Sequence, residues 1–285
     1  MNIKAIKPLL PPIVIKLALR IKNYLGLYEW KFVSFNWDNK YNTSGDGWDL
    51  KSISELQLEK WNNYSEIVNG VGPLGVNHEG SIPYDNQNII FHNLLMTFSY
   101  IAGLATLQKK EINFLDWGGG IGHYGLLIKK ILPSTDVNYF CYDLNTFSET
   151  SKQLWDDNSV FSSNRGELLQ TNKYDLVMAG SSIWYEPDWK TIFKKLIEAS
   201  NNYVFITRMI FVEKGKSYVA VQRPSSMGYK TKYYFWVINE NELLEQAKEN
   251  GAVLVREFLV FEEKTHIYKA PEQGKFKGFL FRKQK

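Results

Sequence analysis

A glycine-rich turn near the middle of the chain has the residue types and spacing of a nucleotide-binding site. Glycine lets the backbone approach a ligand closely, because no Cβ stands in the way. The apolar residues after the turn predict a helix, whose first N–H groups and positive dipole end would face the same ligand. An acid precedes the turn, at the expected carboxyl end of a strand, where open α/β sheets bind ligands. The predicted cofactor-binding residues of this turn are Asp116, Trp117, Gly118, Gly119, Gly120 and Gly122.

Two classes of cofactor fit these glycines. The spacing Asp116-x-Gly118-x-Gly120-x-Gly122 resembles the first motif of class I S-adenosylmethionine-dependent methyltransferases, whereas Gly120-x-Gly122-x-x-Gly125 also satisfies the dinucleotide pattern. A turn that binds nothing is the least favoured alternative, since adjacent glycines weaken both flanking elements unless something needs the space. The elements around the turn must therefore decide between the two cofactors.

A second acid follows the next predicted strand, which covers 137–142. Asp143 lies roughly 20 residues past the glycines, where a ribose-binding carboxylate belongs. Its two oxygens can accept both ribose hydroxyls, and the adjoining Leu144 is expected at the same site. The alternative role of Asp143 is to cap a helix over 147–155, and the two roles are compatible.

Three side chains are candidates for the chemistry itself. His123 directly follows the turn and could act as a general base, because the positive end of the helix dipole favours its neutral form. A histidine that only hydrogen-bonds a neighbour at the helix start is an equally open interpretation. Arg208 and Arg223 could bind a phosphate or carboxylate on an acceptor, with surface or interdomain ion pairs as the alternative.

A glycine-rich loop over 70–84 precedes these elements. A loop of this length in a compact protein is often functional, and it carries His78, Glu79 and Tyr84, which could face a substrate. An incidental histidine in a surface loop is the favoured interpretation.

Strands and helices alternate through the middle of the chain. The predicted strands are 112–116, 137–142, 159–162, 175–180 and 203–207, and predicted helices cover 52–68, 88–109, 123–132 and 188–200. The alternation predicts a parallel, doubly wound α/β sheet. Ser181 and Ser182 follow the fourth of these strands, so they are expected on the cofactor side of the sheet.

The C-terminal part breaks this alternation. An insertion is expected at about 212–236. A helix over 239–249 then precedes two strands, 252–261 and 276–282. A helix followed by two terminal strands predicts an antiparallel hairpin added to the sheet edge.

Composition excludes several classes of function. The chain has 285 residues, a net charge of +4 and a single cysteine, Cys141. No dense block of Lys and Arg argues for a nucleic-acid partner, and no Cys/His spacing argues for a metal. One cysteine cannot form an internal disulfide, so a reducing cytoplasm is the expected location.

The N-terminal region is basic, and charges interrupt its apolar run. The run is too short and too charged to span a membrane, and no small-residue site marks a signal peptide. A helix over 13–25 could touch a membrane surface as part of residues 1–31, or could dock on the domain by its Ile and Leu side chains. We divide the chain into a helical and loop extension, 1–84, which could cover the acceptor, and a catalytic domain, 85–285.

These features together resemble class I S-adenosylmethionine-dependent methyltransferases. The resemblance rests on the acid and glycines of 116–122, on Asp143, on the strand YDLVMAG and on the terminal strand pair. It implies S-adenosyl-L-methionine (SAM) as cofactor and a Rossmann-like doubly wound, mostly parallel seven-stranded sheet with a C-terminal antiparallel hairpin, preceded by a helical N-terminal extension. An NAD-type oxidoreductase would place its glycines near its start and add a sixth parallel strand, so methyl transfer is favoured.

A narrower resemblance extends over nearly the whole chain. The order of LLPPI, SGDGW, FLDWGGGIG, GSSIWY, ITR, VQRP, YYFW and KGFLF is similar to a group of methyltransferases encoded beside bacterial surface-polysaccharide biosynthesis genes. It implies O-methylation of a sugar in such a polysaccharide or its precursor. The polar contact to adenine after the third strand has Ser163 or Asn164 as its candidates. A non-catalytic scaffold in a polysaccharide assembly is the remaining alternative.

Overall fold

The structure, a computed structural model, describes residues 28–41, 47–78, 86–107, 109–155, 159–224, 227–261 and 265–284. Its helices are α1 (Lys51–Asn69), α2 (Ile89–Ala105), α3 (His123–Ile131), α4 (Asn145–Ser151), α5 (Arg165–Thr171), α6 (Trp189–Ala199) and α7 (Glu240–Glu249). Its strands are β1 (Trp30–Ser34), β2 (Glu111–Trp117), β3 (Asp136–Tyr142), β4 (Val160–Ser162), β5 (Tyr174–Gly180), β6 (Ser200–Val212), β7 (Tyr218–Gln222), β8 (Tyr233–Asn239), β9 (Ala252–Leu259) and β10 (Lys275–Lys283).

Seven of the strands form a sheet in the order β4-β3-β2-β5-β6-β10-β9. The pairs from β4 to β6 are parallel, whereas β10 runs antiparallel to both β6 and β9. The prediction of an α/β fold with a mostly parallel central sheet is therefore confirmed, and β9 and β10 form the antiparallel pair expected at its edge. The strand order reverses at β2, which has β3 on one side and β5 on the other, so a ligand crevice is expected there.

The insertion contributes two further strands. β7 and β8 pair antiparallel, β1 adds to the outer edge of β7, and β8 runs parallel to the last two residues of β6. The described part of the extension thus contains a strand, which the prediction of helices and loops had not included. The partners of these strands lie far along the chain, so local sequence patterns do not reveal their pairing.

Strand β6 is longer than predicted, and Arg208 lies inside it rather than at its end. The strand continues to Val212, because β10 pairs with it along nearly its whole length. At Thr207 and Arg208 the strand bulges opposite Gly278 of β10. The bulge coincides with the carboxyl end of β5, where side chains can reach the crevice.

Helices cover both faces of the sheet, as a doubly wound fold requires. On one face the core is formed with residues of α5, α6 and α7, namely Leu168, Phe193 and Leu243. On the other face it is formed with residues of α1, α2 and α3, namely Tyr64, Phe98 and Leu127. Burial of these apolar side chains fixes where the loops at the carboxyl ends of the strands meet.

Helix α1 of the extension packs against α3 and α4, beside the glycine turn. The helix expected over 13–25 lies outside the described residues. Among the helices that the structure describes, none is long and apolar enough to cross a membrane.

Candidate active site

A cavity of about 320 Å³ lies at the carboxyl ends of β2, β3 and β5, beside the bulge in β6. Its volume is in the range of small-molecule sites. Most of the predicted site residues line it, although they come from different strands and loops. They are Asp116, Trp117, Gly118, Gly119, Gly120, His123, Asp143, Leu144, Ser181, Ser182 and Arg208.

Gly122 is in the predicted motif but does not line the cavity. It is the N-cap of α3 with φ of +100°, a conformation that suits glycine. A Cβ on it would stand 2.9 Å from the ring of Trp155 and 3.0 Å from that of Phe161. The Trp155 indole N–H donates to the Ile121 carbonyl across 3.0 Å. Gly122 therefore lets an aromatic cluster support the turn from the side away from the cavity.

Ser163 and Arg223 also lie outside the cavity lining. Ser163 is between β4 and α5, where the neighbouring Asn164 caps α5 by accepting from the backbone N–H groups of Gly166 and Glu167. The Arg223 guanidinium lies 5.3 Å over the ring of Tyr28. The structure thus separates these two predicted residues from the others.

The glycine turn faces the carboxylate of Asp143. Gly120 N–H donates to Asp143 Oδ2 across 2.7 Å, and Leu144 N–H donates to Oδ1 across 2.7 Å. Gly118 N–H donates to the Tyr142 carbonyl, also across 2.7 Å, which ties the turn to the end of β3. Burial raises the pKa of Asp143 to about 6, although both backbone hydrogen bonds oppose the rise. At pH 7 the group is therefore mostly an ionised acceptor.

The Asp116 carboxylate packs against Gly119 of the turn. A Cβ on Gly119 would stand 2.5 Å from Asp116 Oδ2 and 2.8 Å from Cys141 Sγ, so only glycine fits there. The Tyr139 hydroxyl donates to Asp116 Oδ2 across 3.0 Å. Burial raises the pKa of Asp116 to about 7, although the Tyr139 hydrogen bond and the charge of Arg208 oppose the rise.

The raised pKa predicts how stability depends on pH. The folded state binds a proton on Asp116 that the unfolded chain releases near pH 4, so this stabilising contribution is lost as pH rises through about 7. Asp116→Asn imitates the protonated form. Chemical denaturation should show a gain in unfolding free energy for the variant that grows from pH 5 to pH 8, up to roughly 4 kcal/mol.

The matched control is Asp136→Asn, at the exposed start of β3. Its unfolding free energy should stay close to that of the parent protein, because the residue is exposed. If the gain in unfolding free energy of Asp116→Asn stayed constant with pH, burial would not raise the pKa of Asp116 in the folded protein.

One wall of the cavity combines the predicted Trp117 with three residues that sequence analysis missed, Tyr142, Arg165 and Glu186. The rings of Trp117 and Tyr142 stack with centroids 3.9 Å apart. Arg165 Nε donates to the Tyr142 hydroxyl across 2.7 Å, and its two terminal nitrogens donate to Glu186 across 3.0 and 2.7 Å. The available signal was the position of Arg165, three residues after β4. The wall offers flat rings whose orientation is fixed by charged hydrogen bonds.

The extension also contributes residues to the lining, among them Trp48 and Gln57. A Cβ on Gly120 would stand 2.9 Å from Gln57 Oε1, so the amide lies directly over the turn. This oxygen is buried and accepts no hydrogen bond from the described residues. The Trp48 ring stacks on Tyr233 with centroids 4.3 Å apart. The extension therefore helps to form the cavity.

Two histidines stack in the cavity lining. The rings of His78 and His123 have centroids 4.1 Å apart, and Tyr64 packs edge-on against His123 at 4.7 Å. Burial, with the charges of Arg208 and Lys60, holds the pKa of His78 well below its usual range. His78 therefore faces the cavity as a neutral imidazole, so the interpretation as an incidental surface histidine is wrong. Glu79 and Tyr84 lie outside the described residues.

No protein-family model matches this chain, and no curated protein matches it in sequence. Among solved structures, magnesium protoporphyrin IX methyltransferase from Synechocystis PCC 6803, with bound SAM, is 13% identical with a TM-score of 0.47, covering 85% of this chain and 100% of that chain. A SAM-dependent methyltransferase from Clostridium acetobutylicum ATCC 824 is 11% identical with a TM-score of 0.45, covering 67% and 92%.

A third structure is that of 1,6-didemethyltoxoflavin-N1-methyltransferase from Burkholderia thailandensis, with bound 1,6-didemethyltoxoflavin and S-adenosylhomocysteine. It is 14% identical with a TM-score of 0.45, covering 67% of this chain and 78% of that chain. All three TM-scores lie below 0.5, so these likenesses carry no inference about the activity of this chain.

Proposed function

We propose that this protein is a SAM-dependent methyltransferase. The observation that carries the proposal is the Asp143 carboxylate, whose Oδ2 lies 2.7 Å from Gly120 N where the strand order reverses. An ionised carboxylate at this point can accept the hydroxyls of a ribose. Each of its oxygens accepts one backbone N–H and has capacity for a further donor.

The residues present fit an adenosyl sulfonium cofactor. A Cβ on Gly118 would stand 2.3 Å from that of Ser182, so a side chain at this position would crowd the lining of the cavity. Leu144 and Phe147 add apolar surface to the lining that contains Asp143, and adenine would contact this surface. The buried oxygen of Gln57 offers an acceptor to one of the donors of the cofactor.

The protein contributes positioning, water exclusion and a proton acceptor. Bound SAM supplies a methyl group on a positively charged sulfur, which is already reactive towards a nucleophile. The aromatic lining would exclude water, and the residues around the cavity would position the two reactants. In this proposal His123 takes the proton of the acceptor, and the stacked His78 holds the ring in place.

The acceptor is proposed to be a sugar hydroxyl of a surface polysaccharide or its precursor. The support is the resemblance of the sequence motifs, together with aromatic rings in the cavity lining that can stack on a sugar face. Peripheral membrane contact through residues 1–31, which lie outside the described residues, stays a prediction. A cytoplasmic location and the division at residue 84 stay predictions as well.

One observation favours a dinucleotide instead. A Cβ on Gly125 would stand 2.5 Å from the ring of Tyr139, so this glycine permits close helix–strand packing, the role of the last glycine in the dinucleotide pattern. Against it, the neighbour along most of β6 is the antiparallel β10, and the parallel β8 meets only the last two residues of β6. NADH is therefore the competing ligand to test.

Calorimetric titration with S-adenosylhomocysteine (SAH) tests the proposal. We expect saturable binding of one SAH per chain and none of NADH under the same conditions. Tight NADH binding without SAH binding would overturn the proposal in favour of an oxidoreductase. Binding of neither ligand would leave the scaffold in a polysaccharide assembly as the function.

A further inference from the structure

Gln57 is a polar residue on the apolar face of helix α1. Its neighbours along this face, at intervals of three or four residues, are Ile53, Trp61 and Tyr64, and all three are buried. The Tyr64 hydroxyl donates to the His123 carbonyl across 3.0 Å, and the centroids of the Trp61 and His123 rings are 5.4 Å apart. This face of α1 is therefore packed against the start of α3, and the packing fixes the position of Gln57.

The amide oxygen of Gln57 is buried in the cavity lining without a hydrogen bond. The residue is 6% exposed, and it lines the cavity. Its Oε1 is buried and has no hydrogen-bond partner among the described residues. An acceptor that is removed from water and receives no donor destabilises the folded protein. In a cavity a bound ligand can supply the missing donor, so this oxygen marks a place for an N–H or O–H group of the ligand.

The oxygen lies against the middle of the glycine turn. A Cβ on Gly120 would stand 2.9 Å from Gln57 Oε1 and 3.8 Å from its Nε2. Gly120 N–H itself donates to Asp143, and His123 begins α3 three residues later. In the proposed function the cofactor extends from a ribose at Asp143 to a methyl group that is delivered near His123. Its sulfur and amino-acid arm would therefore pass the turn, within reach of Gln57.

We infer that the amide oxygen of Gln57 binds the ammonium group of SAM, and that this contact selects ligands with an amino-acid arm. The inference rests on the proposed function and adds a residue that determines ligand specificity. The donors of SAM are its ribose hydroxyls, its adenine amine and its ammonium group. Asp143 is proposed to accept the hydroxyls, and adenine is proposed to contact Leu144 and Phe147, so the ammonium is the donor that remains for Gln57. A hydrogen bond from a charged donor is stronger than one between neutral groups.

Calorimetric titration of Gln57→Met with SAH tests the inference. Methionine is unbranched and flexible, so it can fill the space of the glutamine side chain, and its sulfur is only a weak acceptor. We expect SAH to bind the variant more weakly than the parent protein by about tenfold or more. The melting temperature of the unliganded variant should not fall, because the variant no longer buries an unpaired amide oxygen.

A second ligand identifies the group that Gln57 holds. Deaminated SAH keeps the carboxylate and lacks only the ammonium group. It should bind the parent protein more weakly than SAH does, by about tenfold or more, and should bind Gln57→Met and the parent protein equally. The matched control is Asn62→Met, which removes an amide from an exposed position of the same helix and should leave both affinities unchanged.

Equal SAH affinity in the parent protein and Gln57→Met would overturn the inference. So would an equal loss of affinity for SAH and deaminated SAH in the variant, because Gln57 would then hold a part that the two ligands share. In both cases SAH binding by the parent protein would leave the proposed function standing. Failure of the parent protein to bind SAH would instead overturn the proposed function, and the inference with it.

Discussion

Replacement of Asp143 by asparagine is expected to weaken SAH binding by about 10- to 100-fold, which corresponds to the loss of charge-assisted hydrogen bonds. The carboxylate has two roles, because it accepts the backbone N–H groups of Gly120 and Leu144 and offers its remaining capacity to the ribose. An asparagine side chain has one acceptor oxygen in place of two. It therefore cannot replace both backbone contacts and also accept two hydroxyls. Isothermal titration calorimetry at pH 8 measures the loss.

The pH dependence of binding gives the same prediction an independent readout. With a pKa of about 6, Asp143 becomes protonated as pH falls, so the affinity of the parent protein for SAH should decline below pH 6 by up to tenfold per pH unit. The Asp143→Asn variant has no such group and should show a flatter profile.

The control is Asp136→Asn, at the opposite and exposed end of the same strand, β3. It should bind SAH as the parent protein does at every pH. An Asp143→Asn variant with the affinity and pH profile of the parent protein would show that the carboxylate does not hold the ribose.

The sequence predicts the centre of this site well, because its determinants are local. The glycines, the apolar run before them and the spacing to Asp143 all lie within about 30 residues, and together they specify a strand, a turn, a helix and the next strand. The geometry agrees with the pattern at Gly120 and Asp143, which meet in a hydrogen bond. Gly122 shows what the motif alone cannot predict. This glycine makes room for the ring of Trp155 and does not line the cavity.

Features that depend on distant partners could not be predicted. The sequence around Arg208 is apolar on both sides of Thr207 and Arg208, and nothing in it marks the bulge that Gly278 of β10 permits. Strand β1 has Trp30 and Phe32 on either side of Lys31, but its partner β7 follows far along the chain. Gln57 did have a signal, because a polar residue lies on the buried face of α1 between Ile53 and Trp61.

Replacement of Gly118 by alanine is expected to destabilise the protein and to abolish SAH binding. Gly118 has φ of +77°, and its added Cβ would stand 2.3 Å from the Cβ of Ser182. The left-handed conformation costs an alanine roughly 1 to 2 kcal/mol, and overpacking costs about 1 to 3 kcal/mol more. Ser182 cannot move away easily, because its hydroxyl donates to the Trp117 carbonyl across 2.6 Å. Thermal unfolding should therefore occur on the order of 10 °C lower, and SAH binding should be lost.

A second-site change separates the two causes of this loss. The double variant Gly118→Ala with Ser182→Gly removes the colliding Cβ but keeps the unfavourable φ, so it should recover part of the lost stability and measurable SAH affinity. Gly103→Ala is the matched control, because a Cβ there meets no atom within 4 Å and the residue lies inside helix α2. It should stabilise the protein by about 0.5 to 1 kcal/mol. If Gly118→Ala melted and bound SAH as the parent protein does, the turn would not approach Ser182 as closely as described. Binding of the cofactor would then not require a glycine at this position.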